Sequence, residues 1–458
     1  MMGTIPKTYI EYLPQTIYLA GRLSFMINPD FIRDNSQILK DSQRSRGESE
    51  AVVDEYLKHD EMWRKLTVEV DGLRAGQKIM SKEIGNLKVA QKQGNTPDID
   101  NKLSVLTIKA TDISNKIAEI TKLQDTTKAQ ADKAMLAISN IVQSDAPVGD
   151  ESDFKVLETI GTPRDFQNEG FKPKDHVEIG NELKLIDLER GSKVSGSRFY
   201  YLINDGALLE LALVNFAMDI AQDFGFIPVI PPALVKPEAM EGTGFLGQAA
   251  ENVYRIEQDD LYLVGTSEVP LAAMHMDEIL NNAELPIKYA GYSPCYRREA
   301  GSHGKDTRGI FRVHWFDKVE MFIFAESKDA EKLHQQLLEI EKTILTKLEL
   351  PFRVIDVATG DLGSSAARKY DCEAWIPSAN EYRELTSTSN CTEFQARRLK
   401  IRTRVGGKIA YVSTLNGTLL AVTRTIVALL ENHQQKDGSV NIPVALRPYL
   451  KNRTSLKI

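Results

Sequence analysis

Four arginines, four carboxylates and several aromatic rings crowd around a glycine-rich turn in the run from Tyr296 to Glu320, YRREAGSHGKDTRGIFRVHWFDKVE. Arg297 and Arg312 carry planar forks of donors suited to phosphate or carboxylate oxygens, Glu299 can accept from an exocyclic amine, and Phe316 offers a face to a purine. Tyr296 to Glu299 reads as one strand, Gly301 to Gly309 as a mobile polar loop and Phe311 to Glu320 as a returning strand. Such a hairpin brings Arg297 and Arg312 together as a nucleotide site. A solvated surface hairpin has the same composition, and spacing alone does not separate the two readings.

The run resembles motif 2 of the class II aminoacyl-tRNA synthetases, and its detail, REAGSxGKDTRGxxRVHxFDKVE, is similar to that of seryl-tRNA synthetases of bacterial type. Two further segments agree and fall in order. GFIPVIPPALV, from Gly225 to Val235, resembles motif 1 with Pro232 as its proline, and NGTLLAVTRTIVALLE, from Asn416 to Glu431, resembles motif 3 with Arg424 as its arginine. The resemblance runs from about Met26 to the C-terminus. It implies an α+β fold: a long antiparallel helical hairpin as a coiled-coil arm, then a class II catalytic domain with an antiparallel sheet flanked by helices. It also implies a homodimer that attaches L-serine to tRNA(Ser), and to tRNA(Sec), through a seryl-adenylate made from ATP. The alternative is a non-catalytic RNA-binding protein that keeps this fold; intact Arg297, Glu299, Glu384 and Arg424 speak against it.

The resemblance assigns the ATP site to Arg297, Arg298, Glu299, Arg312, Val313, Phe316, Glu384, Leu385, Thr386, Ser387 and Arg424. Arg297 and Arg424 would be catalytic, on the α- and γ-phosphates, because charge neutralisation around phosphorus carries this chemistry. In RELTSTSN, Glu384 and Ser387 offer hard oxygens to Mg²⁺, although a Ser/Thr-rich turn has the same composition. Serine would fall to Thr266, Ser267 and Glu268 of LVGTSEVPL with Arg297, Glu320, Asn416 and Thr418. Such a pocket rejects alanine through unpaired polar groups and threonine by steric exclusion. His303 and His314 are left without a catalytic role, since adenylation needs no general base. Two departures from the family pattern stand out. Trp315 replaces the usual glutamine, and its ring either crowds the nucleotide strand or packs behind it; Thr423 stands where many members have glycine.

The elements that carry these residues have two grammars. Leu66, Val70, Leu73, Gln77, Met80, Ile84 and Leu87 alternate spacings of four and three, a heptad seam. Leu103, Leu106, Ala110, Ile113, Ile117, Ile120, Gln124, Thr127, Ala131, Ala134, Ile138 and Ile141 repeat it without a slip. Gly94, Asn95, Thr96 and Pro97 break the pattern between them, with Asp98 as the expected cap of the second helix, so the helices fold back antiparallel. At about 46 residues each and ~1.5 Å per residue they would reach roughly 70 Å. Glu50 to Asp71 carries seven acids against three bases, whereas Arg74, Lys78, Lys82, Lys88 and Lys92 face only Glu83 in the tip half. That basic half suits a polyanion, although a solvated coiled coil would also carry it; the resemblance makes it the tRNA-binding surface.

A chain of 458 residues with 42% hydrophobic content supports more than one core. The expected divisions are an N-terminal extension (1–25) that is a disordered tail or a misassigned start, an arm (26–145), a linker (146–166) and a catalytic domain (167–458). Beyond the linker, strand-like runs and amphipathic helices mix without a βαβ repeat, as in an α+β domain. Cys295, Cys372 and Cys391 lack CxxC spacing, so neither zinc nor a disulfide framework is expected and the cytoplasm is the default compartment. No run is apolar for long enough to span a bilayer. Net charge is −7 and no P-loop is present, so both the ATP chemistry and the polyanion surface depend on local placement.

Overall fold

The computed structural model describes residues 29–94, 96–247, 250–300, 304 and 306–457. The expectations for the N-terminal extension, Asn95 and His303 fall outside the described residues. The chain divides into two compact units, an arm that ends at Ser139 and a sheet unit that begins at Asn140.

In the arm, two short helices, α1 (Pro29–Asp34) and α2 (Ser36–Ser45), precede two long ones, α3 (Ala51–Gln93) and α4 (Pro97–Leu136). Thr67 bonds Gln124, Glu69 pairs with Lys116, and Gln91 bonds Asp100, so the long helices run antiparallel. Their 43 and 40 residues are fewer than the expected 46. The seam is where the spacing put it: Leu66, Val70, Ile120, Ala131 and Ala134 are buried, and Met80, Ile84, Leu87, Leu103 and Leu106 toward the tip are half-buried. The outer faces stay exposed. At the base, Arg33 reaches both carboxylate oxygens of buried Asp60 at 3.1 and 2.9 Å. Gln43 donates to the carbonyl of Ser139 and accepts from its N–H, closing the chain just beyond α4.

The expected cap needs correction. Thr96 holds the N-cap position with extended backbone, Pro97 opens the helix, and Asp98 sits inside the first turn, paired with Lys102 at 2.8 Å. Proline is pre-organised for that first position, and Asp98 still favours the helix through its N-terminal dipole.

In the sheet unit, β1 (Lys155–Ile160), β2 (Ile227–Val229), β3 (Ile287–Tyr296), β4 (Trp315–Ala325), β5 (Phe352–Asp356), β6 (Arg368–Ile376), β7 (Glu381–Asn390) and β8 (Ser413–Ala421) form one sheet. Its order is β1-β5-β6-β7-β8-β4-β3-β2, antiparallel except where edge strand β2, cut from motif 1, lies parallel to β3. Helices α5 (Asp205–Asp223), α6 (Ala330–Lys347) and α7 (Val422–His433) contribute Leu213, Phe216, Leu337, Ile344, Ile426 and Leu430 to one core with Val319, Met321 and Ile323 of β4. Alternate residues of a strand point to opposite faces, so Phe316, Lys318 and Glu320 turn the other way and line a cleft.

Two boundaries differ from expectation. The stretch 146–166 is not a linker: it contributes β1, hydrogen-bonded antiparallel to β5 at the sheet's edge. All but the last of its residues are exposed, so KVLETI carries no buried face for a period-two reading to find. The hairpin strands are Ile287–Tyr296 and Trp315–Ala325, with Trp315 opposite Tyr296, and Arg297 to His314 form the connection. The returning strand thus starts four residues later than expected, because Glu299 takes a positive φ of 52° and pairing stops after the Arg297 N–H bonds the His314 carbonyl.

Candidate active site

The cleft has two adjoining compartments. One, of about 490 Å³, is enclosed by Thr266, Glu268, Glu320, Lys369, Ser387 and Asn416 among others. The second is walled by Phe311, Val313, Phe316, Leu385 and Arg424. Arg297, Glu299, Arg312, Lys318, Glu384 and Thr418 border both. The motif 2 and motif 3 segments therefore converge with RELTSTSN and with Thr266 and Glu268, whereas no residue of the motif 1 segment lines either compartment.

At the second compartment the arginines are held by partners already in place. Arg297 donates from Nε to the Gly265 carbonyl at 3.2 Å, and its guanidinium lies 5.2 Å from the Phe316 ring centroid, on the face the sequence offered to a purine. Arg312 pairs with Glu299 at 2.8 Å. Arg424, on the first turn of α7, bonds the Glu384 carbonyl at 3.0 Å and its carboxylate at 3.3 Å, and lies 5.0 Å from the Phe311 ring. The Glu384 side chain is open to the cleft; partial desolvation there pushes its carboxyl up, but Arg424, Lys369 and Arg297 outweigh this and hold the group below the usual carboxylate range. It is an anion ringed by cations, and those cations have capacity for further oxygens.

At the larger compartment Glu268 is buried and accepts from Gln395 at 2.7 Å and Asn416 at 3.0 Å. Burial, with the charge of Glu320 nearby, pushes its carboxyl up to about 7. Glu320 is buried, forms an ion pair with Lys318, and accepts from Thr418 at 3.4 Å. The compartment so presents acceptors to an ammonium and a donor–acceptor pair to a hydroxyl.

Glu384 and Ser387 stand three apart, which in a regular strand would set them on opposite faces. A bulge in β7 resolves this: Thr386 pairs with Cys372 and Glu384 with Glu373, so one strand spends an extra residue at Leu385. Both side chains then line the larger compartment, followed by Ser389.

Three expected contacts fall outside the cleft's lining. Arg298 lies 5.9 Å from the Tyr254 ring. Ser267 is fully buried and donates to the Gly291 carbonyl, and Thr386 turns to the helix side, where it donates to Glu341 at 2.9 Å. In each case a neighbour, Arg297, Thr266 or Ser387, lines the cleft; strand alternation explains the split at Thr386, whereas Arg298 and Ser267 lie outside the strands, where the backbone turns. Trp315 packs behind the strand on Tyr200, with ring centroids 5.4 Å apart and planes 19° apart. His314 bonds the Arg297 carbonyl at 3.0 Å and serves the hairpin.

Sequence reasoning missed the lining residues Lys318, Phe311 and Lys369, and the supporting residues Gln395 and Asp306 behind them. Lys318, two residues from both Phe316 and Glu320, was readable from period-two alternation. Phe311, stacked between Arg383 at 4.3 Å and Arg424, was quoted as strand but given no task. Gln395 and Lys369 had no local cue: Gln395 reaches Glu268 across 127 residues, and Lys369 reaches the cleft through sheet order. Asp306, which bonds Arg383 at 3.1 and 2.6 Å, ties the motif 2 connection to β7. On the arm, Arg74, Lys78, Lys82, Lys88 and Lys92 are all exposed. At ~100° per residue they fall within an arc of about 120°, one stripe beside the seam.

This geometry has relatives. The sequence matches the seryl-tRNA synthetase N-terminal domain over residues 26–142 and the tRNA synthetase class II core domain (G, H, P, S and T) over residues 252–433. A serine–tRNA ligase of Streptomyces coelicolor is 58% identical over 432 residues, covering 94% of this chain and 99% of its own. The chain belongs to the seryl-tRNA synthetase family. Another family member, from Cutibacterium acnes, is 55% identical over 428 residues, covering 93% of this chain and 98% of its own. Among solved structures, the seryl-tRNA synthetase of Pyrococcus horikoshii complexed with ATP superposes with a TM-score of 0.85 at 39% identity over 94% of this chain and 99% of that one. The cytoplasmic serine–tRNA ligase of Naegleria fowleri, in complex with AMP, gives 0.82 at 34% identity, covering 94% and 99%. The seryl-tRNA synthetase fold thus holds along nearly the whole chain. Among the described residues no helix is long and apolar enough to cross a membrane.

Proposed function

We propose that the chain joins L-serine to tRNA(Ser), and to tRNA(Sec), in two steps through a seryl-adenylate. The observation that carries this reading is the position of Arg297 between the two compartments, one rich in arginine and aromatic rings and the other in buried acceptors. A serine carboxylate oxygen attacks the α-phosphorus of ATP and pyrophosphate leaves; the 3′-hydroxyl of the terminal ribose then attacks the acyl carbonyl and AMP leaves. Arg297 neutralises charge at the α-phosphate, Arg312 and Arg424 hold the outer phosphates, and Phe316, Val313 and Glu299 receive the adenine. For Arg312 this means exchanging part of its pairing with Glu299, which frees that carboxylate for the adenine amine. Glu268 and Asn416 take the substrate ammonium, and Glu320 with Thr418 takes its hydroxyl.

Mg²⁺ would arrive on the phosphates of ATP. The residues fit it: Glu384 and Ser387 present hard oxygens on one face, and beside them Asp371 Oδ1 is buried without a hydrogen-bond partner among the described residues. It would supply charge neutralisation between the phosphates. The basic stripe on α3 would receive tRNA by its backbone, in keeping with recognition of shape. Exposed Leu208, Leu211, Ile227 and Ile230, on α5 and at the motif 1 edge, support an isologous homodimer.

ATP–pyrophosphate exchange with each of the twenty amino acids added singly tests this reading. Exchange with serine alone is expected. Exchange with another amino acid would overturn the substrate, and none at all would leave the RNA-binding alternative.

A further inference from the structure

Behind the catalytic sheet, in the apolar layer formed by α6, lies a carboxyl group that the chemistry above does not use. Glu341 is fully buried, and its helix neighbours Leu337, Leu338, Ile340, Ile344 and Leu345 are all core residues. One of its oxygens accepts from Thr386; the other, Oε1, has no hydrogen-bond partner among the described residues. Burial pushes the carboxyl well above its usual range. A polar group in such a place is costly, and an apolar side chain of similar volume would often serve stability as well or better. Its presence calls for a task other than holding the core together.

Its contacts indicate the task. Thr386 is the neighbour of Ser387 on β7 and adjoins the bulge that brings Glu384 and Ser387 to one face. On β8, Gly417 lies between Asn416 and Thr418, and a Cβ there would stand 2.9 Å from Glu341 Oε1 and 3.2 Å from Thr388 Oγ1. The carboxyl therefore occupies the space that a side chain at 417 would need. Two helical turns away, His334 bonds the Thr388 carbonyl at 3.0 Å, so α6 grips β7 at alternate residues. Thr388 in turn donates to the Asn416 carbonyl at 2.9 Å, linking β7 to β8.

We propose that Glu341 is a positioning residue: from the reverse side of the sheet it pins Thr386 and seats against Gly417. It thereby sets the bulge that presents Glu384 and Ser387 and the strand that presents Asn416 and Thr418. The proposal rests on the adenylation reading of the cleft. It separates from a purely structural role because the two make opposite demands on an apolar replacement.

The test compares wild type with Glu341→Leu, Glu341→Gln and Thr386→Val by thermal unfolding and by serine-dependent ATP–pyrophosphate exchange, titrating serine and Mg²⁺. Glu341→Leu is expected to melt no lower than wild type, yet to raise the half-saturating serine and Mg²⁺ concentrations about tenfold, the scale of one lost hydrogen bond between buried groups. Glu341→Gln, which keeps an acceptor for Thr386, restores both constants to within about twofold of wild type. Thr386→Val reproduces the Leu phenotype, and the double variant is no worse than either single one, because both remove the same contact. Wild-type constants in Glu341→Leu, or a loss of activity that follows a loss of melting temperature, would overturn the proposal. If Glu341→Leu does not fold, wild-type constants in Thr386→Val overturn it equally. Absence of serine-dependent exchange in the wild type would instead overturn the reading of the cleft.

Discussion

Glu268 offers the sharpest link between the electrostatics of the cleft and its use. Burial and the charge of Glu320 lift its carboxyl from 4.5 to about 7, so it is half ionised at pH 7, whereas serine brings an ammonium that requires the ionised form. The ionised fraction falls about tenfold between pH 8 and pH 6, and the KM for serine in pyrophosphate exchange should rise by the same factor. Glu268→Gln removes the charge while keeping the size. Losing a hydrogen bond to a charged group costs roughly 1.5–3 kcal/mol, so its KM at pH 8 should be roughly 10- to 150-fold above wild type and level with pH. Stability should move the other way. A carboxyl raised on folding penalises the folded state as pH climbs from the unfolded value through the folded one, here by about 3 kcal/mol above pH 7. The Gln variant should therefore melt higher than wild type at pH 8 and lose that advantage near pH 4.5. A flat wild-type KM profile, or a Gln variant that keeps the wild-type slope, would show that another group meets the ammonium.

Arg424→Ala should raise the KM for ATP at least tenfold, the worth of a charged hydrogen bond, while the dissociation constant of serine measured alone by calorimetry stays near wild type. Glu384→Gln should raise the half-saturating Mg²⁺ concentration in pyrophosphate exchange and leave AMP binding unchanged; an unaltered Mg²⁺ titration would remove this residue from the metal's donor set. Changing Lys78, Lys82 and Lys88 together to Glu should weaken tRNA binding and lower its log–log salt slope by about 2–3, with exchange untouched. Equal loss of both activities would defeat the arm assignment. Leu211→Asp should convert a dimer to a monomer in light scattering at micromolar concentration, and a wild-type monomer under those conditions would refute the twofold interface.

Much of this protein was legible because the relevant signals are local. The heptad seam is a repeat along one helix, and each position named within the two long helices became buried or half-buried because side chains three and four apart share a face. Arg297, Arg312 and Arg424 lie inside contiguous motifs, so their convergence followed once those motifs were placed on strands and a helix. Residues immediately beside such anchors were harder. Ser267, Arg298 and Thr386 belong to the same short strings as Thr266, Arg297 and Ser387, but a backbone that turns or alternates sends neighbours to different sides.

The amino-acid order by itself determined the family, the two helices of the arm and the motif side chains that can meet phosphate. It did so because periodicity and short-range chemistry are properties of neighbouring residues. The tertiary structure decided the rest. The edge strand at Lys155–Ile160 exists because β5 offers it a partner, since its own side chains bury almost nothing. The bulge at Leu385 brings to one compartment two residues, Glu384 and Ser387, whose spacing alone would separate them. The setting of Glu268, from Gln395 at 127 residues' distance to the neighbouring charge of Glu320, depends on which strands lie side by side. Desolvation and charge act through space, and only the folded chain defines those distances.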